Sequence, residues 1–218
     1  SSVEPVKELT VRIANKSECT NGETSETACG FVVEFVDIIE RHNYNKADAT
    51  NQYGTNVGGW KNSELRTYIN DTIYKSLPSD LQNVITTTKV ISGHGNGNSI
   101  NFETQDKLYL LSAQEVWNGN KYDTSVGTSK QLDYYKNQGV TTSSFAGAIK
   151  PYNGSNYMWW LRSAHSDYAS NFLRVTTGGA LNSDNACSSY GVSPAFRLQG
   201  PVPVSFSEDS WQTIQKAV

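Results

Sequence analysis

The chain has 218 residues, a formal net charge of -3 and only 18 % charged residues. This length suits one generous domain, or a domain with a short appendage. No segment has the roughly 20 consecutive apolar residues of a membrane-spanning helix, and no signal-like segment stands at the N-terminus. The 18 Lys and Arg residues are scattered and outnumbered by 21 Asp and Glu residues, which argues against a nucleic-acid-binding surface. The composition indicates a soluble, polar, loop-rich and mostly β protein.

The first half of the chain predicts short strands and short helices. Residues 9–14 (LTVRIA) alternate apolar and polar side chains, which predicts a half-buried strand, and the β-branched and aromatic run at 30–39 predicts a second one. Residues 62–77 place apolar side chains at helical spacing, so we expect an amphipathic helix that ends at Pro78. A short second helix is expected to start at Ser79.

The middle of the chain predicts further short elements. We expect strands at 86–91 and 107–111, separated by a flexible HGNGNS loop. Ser112 and Glu115 have the spacing of a capping box, which predicts a short helix. Another short helix is expected at 131–137.

The last part of the chain predicts strands and loops, followed by a tail. After Gly154, β-branched and aromatic runs stand among turn residues. The two prolines of the GPVP run exclude a central strand there, so we expect a domain over 1–200 and a tail over 201–218. The tail is either a docked helix or a linker with the start of a further module, and we favour the second. Its helix-like spacing involves Trp211, Ile214 and Gln215.

Cysteine usage favours an oxidising compartment. Cys19 and Cys29 flank a polar, turn-rich loop, and we predict a disulfide between them; two free thiols in a reduced cytosol are the alternative. Closing this short loop would stabilise the fold by about 2–3 kcal/mol. Cys187 is left without a sequence partner.

Enzymatic chemistry finds little support in the sequence. No nucleophile elbow, zinc-protease motif, phosphate loop or dinucleotide fingerprint is present. We interpret His94 as a solvent-facing loop residue, and Glu103 and Asp106 as solvated or capping carboxylates. We therefore expect no catalytic residue, no metal site and no cofactor. The histidines lie far apart in sequence, at His42, His94 and His165.

Two runs, MWWLRS and SPAFRL, are interpreted as a structural frame, that is, residues that support a binding site without contacting the ligand. A strand directs Trp159 and Trp160 to opposite faces, so at least one of them should be buried. Arg162 and Arg197 are expected to reach carboxylates or backbone carbonyls and to pin the two ends of the intervening loop. Phe196 completes this structural frame.

The segment between the two runs has an unusual composition. Residues 163–198 contain no Lys, Glu, Gln, Met or Trp, although these five types make up about a fifth of the rest of the chain. Codons of the form NNC cannot encode these types, and such codons arise when the adenines of an AAC codon are randomised. The alternative is a small polar β-loop region whose composition arose by chance. Randomised codons would also account for an unpaired Cys187.

The same runs carry a family resemblance. NVGGWKNSELRTYIN, DKLYLLSAQEVW and WWLRSA…GVSPAFRL resemble bacterial and phage surface domains with a C-type-lectin-like fold, over nearly the whole chain. Some such domains are variable proteins of diversity-generating retroelements, in which reverse transcription with adenine mutagenesis diversifies a stretch between WWLRS-like and GVSPAFR-like borders. The resemblance implies an α+β, C-type-lectin-like fold that displays the altered residues to a ligand. It also implies an extracellular location, on a cell surface or a virion.

Two further properties of similar folds are not expected here. The fold is similar to that of the formylglycine-generating enzyme, but a reactive cysteine pair in a suitable setting is missing from the sequence. The Glu-Pro-Asn, Gln-Pro-Asp and Trp-Asn-Asp triplets of calcium-dependent lectins are missing too. Neither activity is therefore carried over.

We predict a non-enzymatic recognition domain with a hypervariable binding face within 163–190. Its partner would be a protein or a glycan on another cell or surface. Exposed Tyr, His and Arg would supply contact area, while Ser, Asn and Asp would adapt their hydrogen bonds. The alternative is an adhesin or carbohydrate-binding module of fixed specificity, with Tyr168 or Tyr190 stacking on sugar rings. The expected ligand contacts are His165, Asp167, Tyr168, Asn171, Arg174, Thr176, Asn182, Asp184 and Ser188.

Overall fold

Short strands outnumber short helices, as the turn-rich composition predicts. The computed structural model describes residues 6–96, 98–118, 128–198 and 212–217. The helices are α1 (Glu64–Tyr68), α2 (Ser79–Val84), α3 (Ala113–Trp117) and α4 (Asp133–Asn137). The strands are β1 (Val6–Asn15), β2 (Val32–Phe35), β3 (Glu40–Asn43), β4 (Ile85–Thr86), β5 (Thr88–Gly95), β6 (Asn98–Asp106), β7 (Lys150–Tyr152), β8 (Ser155–Tyr157), β9 (Trp159–Ala164), β10 (Asn171–Val175), β11 (Leu181–Asn185), β12 (Ser189–Val192), β13 (Ala195–Leu198) and β14 (Gln212–Ala217).

The strands form two sheets of five and two hairpins. The first sheet has the antiparallel order β14-β1-β2-β13-β4, and the second has the order β11-β10-β9-β12-β3, with one parallel bridge between β9 and β12. The hairpins are β5–β6 and β7–β8. The protein is thus a mixed α/β fold made mostly of small antiparallel sheets with a few short helices.

The second sheet carries most of the compositionally unusual segment. All six residues of β9 are buried, including both Trp159 and Trp160, so the expectation that at least one is buried is confirmed. β10 and β11 form a hairpin in direct register, from the pair Val175 and Leu181 to the pair Asn171 and Asn185. β11 is an edge strand of this sheet, and the turn before it is exposed at residues 177 and 178.

The predicted helical run at 62–77 is confirmed. The N-cap hydroxyl of Ser63 accepts a hydrogen bond from the backbone N–H of Arg66, and α1 continues into a π-helical turn (Ile69–Ile73) and a 3-10 turn (Tyr74–Ser76). Of the predicted apolar stripe, Tyr68 is half-buried, and the other four members are buried: Leu65, Ile69, Ile73 and Leu77. The predicted starts of α2 and α3 and the helix within 131–137 are also observed.

The prediction around the HGNGNS run placed the second strand wrongly along the chain. The partner of β5 is β6, which runs through the expected loop, whereas residues 107–111 form no strand apart from a single bridge between Tyr109 and Ala195. The apolar side chains of 108–111 are fully buried in this irregular conformation. His94 is therefore a half-buried residue within β5, with its ring 5.0 Å from that of Phe102, rather than a solvent-facing loop residue.

The interpretation of Asp106 as a solvated or capping carboxylate was also wrong. Its side chain accepts hydrogen bonds from Trp60 Nε1 at 2.9 Å, Thr104 Oγ1 at 2.7 Å and Arg66 Nε at 2.8 Å. Asp106 is buried, while Glu103 is exposed. The carboxylate of Asp106 therefore joins the end of β6 to α1.

Both ends of the chain pair in the first sheet. β14 lies antiparallel to β1, with Ile214 opposite Leu9, so the helix-like spacing of the tail does not produce a helix. Trp211 and the GPVP run lie outside the described residues. The predicted disulfide between Cys19 and Cys29 is present. Within the described part of the chain, no helix has the length and apolar character needed to cross a membrane.

Candidate ligand-binding surface

A buried ion pair fixes β9 behind the candidate surface. Arg162 donates from Nη1 and Nη2 to the two carboxylate oxygens of Glu115, each at 2.7 Å, and both side chains are fully buried. Thr27 Oγ1 also donates to Glu115, at 2.6 Å. Burial alone would raise the pKa of Glu115, but the charge of Arg162 and these hydrogen bonds hold it below its ordinary value. β9 is thus tied to α3 by a charge-assisted fork.

Arg197, the second arginine of the predicted structural frame, fixes the end of β13. Arg197 donates from Nε to the carbonyl of Cys29 at 2.9 Å and from Nη1 to Glu26 at 3.3 Å. Phe196, beside it, is buried with its ring centroid 6.2 Å from that of Phe35. The disulfide loop is therefore attached to β13, the strand at the end of the unusual segment.

A second buried charge cluster was not anticipated from the sequence. Lys150 Nζ donates to Glu34 at 2.9 Å, to the carbonyl of Phe35 at 2.8 Å and to Ser193 Oγ at 2.8 Å. Its ammonium lies 4.5 Å from the ring centre of Trp159. Burial lowers the pKa of Lys150 to about 8, although Glu34 opposes this shift. All three ammonium donors are used, so this lysine ties the β7–β8 hairpin to β2 of the first sheet and also contacts Trp159 of the second.

A shallow, open groove lies between two loops beside the second sheet. Its volume is about 390 Å³. Tyr53 and Tyr168 are 51 % and 60 % exposed. The lining contains one carboxylate, from Asp167, and neither Lys nor Arg. We call it the loop groove, and it is lined by Thr50, Asn51, Gln52, Tyr53, Gly54, Asp167, Tyr168, Ala169 and Ser170.

A buried asparagine positions one wall of the loop groove. The side-chain nitrogen of Asn56 lies within hydrogen-bond distance of the carbonyl oxygens of His165 (3.0 Å), Tyr168 (2.7 Å) and Asn171 (2.8 Å). Its backbone N–H donates to the carbonyl of Ala169 at 2.7 Å. The 165–171 loop is therefore held from behind through its backbone, which leaves the side chains of 167 and 168 outside. Asn56 was not among the expected site residues, although it begins the NVGGWKNSELRTYIN run.

The expectation that His165 makes outward contacts was wrong. His165 is only 4 % exposed, and its Nδ1 accepts the backbone N–H groups of Asp167 at 3.0 Å and Tyr168 at 3.3 Å. Its ring centroid lies 4.6 Å from that of Tyr168. Burial lowers the pKa of His165, and the nearby charge of Asp167 only partly opposes this. His165 thus shapes the turn that presents Asp167 and Tyr168.

Two other expected contacts, Arg174 and Asp184, are tied to Tyr190. The hydroxyl of Tyr190 donates to the carboxylate of Asp184, and the guanidinium of Arg174 lies 4.9 Å from the ring centre of Tyr190. Arg174 Nη2 lies 3.7 Å from the Asp184 carboxylate, and the two side chains are only 12 % and 30 % exposed. The ring of Trp160 approaches Tyr190 to 4.9 Å. We call Arg174, Asp184 and Tyr190 the sheet patch.

The remaining expected contacts divide by exposure. Asn182 is exposed, whereas Asn171, Thr176 and Ser188 are half-buried. Thr176 Oγ1 accepts the backbone N–H of Ala180 at 3.0 Å and so closes the turn between β10 and β11. The outward positions of the expected set are therefore Asp167, Tyr168 and Asn182.

The chain was compared with protein families, curated proteins and solved structures. Residues 36–200 match the family described as Domain of unknown function (DUF6273). The chain belongs to this family. The DUF6273 match begins after β2 and includes the loop groove, the sheet patch and the whole second sheet. Neither the curated proteins nor the solved structures gave a match.

Metal ligands and free thiols are scarce in the described residues. They contain no group of three or more His, Cys, Asp or Glu side chains placed to hold a metal ion. Cys187 is a free, half-buried cysteine. Its backbone N–H donates to the carbonyl of Tyr53 at 3.1 Å, which ties the loop after β11 to the loop groove.

Proposed function

We propose that this DUF6273 domain is a non-enzymatic recognition domain with a C-type-lectin-like fold, which binds its ligand at the loop groove and the adjoining exposed residues of 163–190. The observation that carries the proposal is the position of Asp167 and Tyr168. Their side chains are exposed, whereas their backbone is held by Asn56 and His165. Such an arrangement allows the side chains to change while the loop keeps its shape.

We further propose that this face is hypervariable, as in a variable protein of a diversity-generating retroelement. The missing residue types in 163–198 support this proposal. So does the contrast between the exposed Asp167, Tyr168 and Asn182 and the fully buried Arg162 fork behind them. The set of freely variable positions is smaller than the nine expected contacts, because His165 is buried and the sheet patch is tied.

Sequencing the coding locus tests the variable-protein proposal. A nearby, near-identical copy of the segment that encodes 163–198 is expected, with differences confined to adenines of that copy, next to a reverse transcriptase gene. A locus with neither the copy nor the gene would reject diversification and leave only a binding domain of fixed specificity.

The proposed location is extracellular, on a cell surface or a virion. The disulfide between Cys19 and Cys29 supports this, since structural disulfides persist in oxidising compartments. Antibody labelling of intact cells or particles tests the location. Signal that appears only after lysis would contradict it.

A carbohydrate ligand of fixed specificity is the second candidate function. Tyr53 and Tyr168 are exposed beside the side chains of Asn51, Gln52 and Asp167 in the loop groove. Rings with nearby planar polar groups suit the apolar face and hydroxyls of a neutral sugar. Tyr190 is unsuited to this role, because it is half-buried and bonded to Asp184. A glycan array with one competable hit that Tyr168→Ala abolishes would favour this candidate, and an array without a hit would reject it.

A further inference from the structure

The loop that the Cys19–Cys29 disulfide closes is polar, yet its second half is buried. Residues 20–28, which we call the disulfide loop, read TNGETSETA and form neither a helix nor a strand. Only one of these residues, Ala28, has a hydrophobic side chain, so hydrophobic burial contributes little to holding the loop. The buried residues of the loop are Ser25, Thr27 and Ala28. Polar contacts must therefore hold this loop in place.

One side of the disulfide loop lies along β5. The backbone N–H of Glu26 donates to the carbonyl of Lys89 at 2.9 Å, and the backbone N–H of Lys89 donates to the Glu26 carboxylate at 3.0 Å. Ser25 Oγ accepts the backbone N–H of Ile91 at 3.2 Å. The carbonyl of Ile91 in turn accepts Arg162 Nε at 3.1 Å. The disulfide loop therefore reaches β5 at the point where Arg162 also contacts this strand.

Thr27 connects the disulfide loop to the buried fork of Arg162 and Glu115. The Thr27 hydroxyl donates to Glu115 Oε2 at 2.6 Å and accepts from Arg162 Nη2 at 3.1 Å. The carbonyl of Thr27 accepts the hydroxyl of Tyr109 at 2.7 Å. All four residues are fully buried. A displaced Thr27 would therefore take one hydrogen bond from each member of the ion pair.

The two ends of the disulfide loop are held differently. On the C-terminal side, Asn15 Nδ2 lies 3.0 Å from the carbonyl oxygen of Ala28, and Arg197 Nε donates to the carbonyl of Cys29 at 2.9 Å. On the N-terminal side, residues 19–24 are exposed or half-buried. The S–S bond therefore joins a solvent-facing segment to an anchored one and limits the conformations of the loop between them.

We propose that the Cys19–Cys29 disulfide is a redox-sensitive clasp, which holds Thr27 on the Arg162–Glu115 pair and whose reduction releases the disulfide loop from this pair. A dithiol breaks the S–S bond; each sulfur gains one electron and one proton, and the dithiol becomes a disulfide. Cys19 is half-buried and Cys29 is buried, so we expect the attacking thiolate to reach Cys19 first.

The clasp makes the support of the second sheet depend on the redox state of the surroundings. In the oxidised protein the hydroxyl of Thr27 stays in the fork. In the reduced protein the loop leaves, which exposes the backbone N–H groups of Lys89 and Ile91, because their hydrogen-bond acceptors lie in that loop. The clasp acts on the frame and not on a ligand contact, so it stands apart from the function proposed for the loop groove.

A thermodynamic cycle over the two redox states tests the clasp. Urea unfolding of the full chain is followed by tryptophan fluorescence with and without dithiothreitol, and mass spectrometry after alkylation counts the free thiols. Without the dithiol only Cys187 should be alkylated, and with it all three cysteines. Thr27→Val should lower the folding equilibrium constant about tenfold or more in the oxidised protein, and less than about threefold in the reduced protein, in which the hydroxyl has already left the fork.

Thr104→Val is the matched control. Thr104 is also buried, and its hydroxyl also donates to a buried carboxylate, that of Asp106, at 2.7 Å. Asp106 joins β6 to α1 through Arg66. The cost of Thr104→Val should therefore be the same in both redox states. Thr27→Ser keeps the hydroxyl and should resemble the parent protein in both states.

Hydrogen exchange of the parent protein gives a second measurement that needs no variant. Reduction should accelerate exchange of the Lys89 and Ile91 amides at least about tenfold more than exchange of the amides in the β10–β11 hairpin. Equal acceleration, or an equal cost of Thr27→Val in both redox states, would show that the disulfide acts only on the unfolded chain and would overturn the clasp. So would a redox-dependent cost of Thr104→Val, or a disulfide that the dithiol cannot reduce in the folded protein.

Discussion

The sheet patch and one wall of the loop groove come from the same unusual segment, yet their side chains are held in opposite ways. At the loop groove, Asp167 and Tyr168 are exposed, and Asn56 holds only the backbone behind them. In the sheet patch, Tyr190, Asp184 and Arg174 contact one another and lie partly buried over Trp160. The composition of the segment does not distinguish the two regions. Their side-chain contacts differ, so residues of the loop groove can be substituted one at a time, whereas those of the sheet patch must be substituted together. The four predictions below test this contrast, from the largest expected effect to the smallest.

The buried fork behind both regions should dominate stability. Arg162→Met leaves the carboxylate of Glu115 buried without its charge partner, which should cost about 3–5 kcal/mol of unfolding free energy. Urea unfolding followed by tryptophan fluorescence measures this loss. The matched control is Lys75→Met, because the Lys75–Asp71 pair is exposed and should contribute less than about 1 kcal/mol. Similar losses in the two variants would show that the fork does not hold the frame.

A member of the sheet patch should have an intermediate effect. Asp184→Ala removes the acceptor of the Tyr190 hydroxyl and the partner of Arg174, so we expect a loss of about 1–2 kcal/mol. Adding Tyr190→Phe should cost less in that background than in the parent protein, because the two residues are coupled. The comparison variant in the loop groove is Asp167→Ala, whose unfolding free energy should stay within about 0.5 kcal/mol of that of the parent protein. Strictly additive effects of Asp184→Ala and Tyr190→Phe would contradict the tied arrangement.

The histidine beneath the groove should make stability depend on pH. Burial lowers the pKa of His165 in the folded protein below its ordinary value of 6.5. The unfolded chain therefore takes up the proton first as pH falls. The contribution of His165 is complete above pH 6.5 and is lost progressively below it. His165→Asn keeps an acceptor for the turn but does not titrate, so unfolding free energy should fall less between pH 7 and pH 5 than in the parent. Equal slopes for the two proteins would contradict the buried, neutral histidine.

The groove tyrosine should have the smallest effect on folding. Tyr168→Ser removes an exposed ring whose main described ring neighbour is His165, so the unfolding free energy should change by about 0.5 kcal/mol or less. Thermal and urea unfolding provide the measurement. A loss above about 2 kcal/mol would mean that the groove wall depends on this side chain.

Local signals in the sequence predicted the features that depend on neighbouring residues. The capping box at Ser112 and Glu115, the apolar stripe of the helical run at 62–77 and the Cys19–Cys29 loop are observed. Each depends on a few residues at fixed spacing, so the sequence alone specifies it.

Features set by distant partners could not be predicted. The apolar residues 108–111 have strand-like composition, but the pairing of β5 with β6 decides their conformation. Asn56 acts through a loop more than 100 positions away, and His165 is buried by backbone groups that follow it. The burial of Lys150 has no local signal in the sequence, because its charge partner Glu34 comes from a distant strand. Exposure in 163–190 therefore had to be read from tertiary contacts.

The most direct test of the central claim compares two triple variants within the same segment. One replaces the exposed residues by Asp167→Ser, Tyr168→Asn and Asn182→Ser, and the other replaces the sheet patch by Arg174→Ser, Asp184→Ser and Tyr190→Ser. We predict that the first keeps its unfolding free energy within about 1 kcal/mol of the parent and the second loses at least about 3 kcal/mol. A cooperative loss of folding in the first variant would contradict a groove whose side chains are interchangeable.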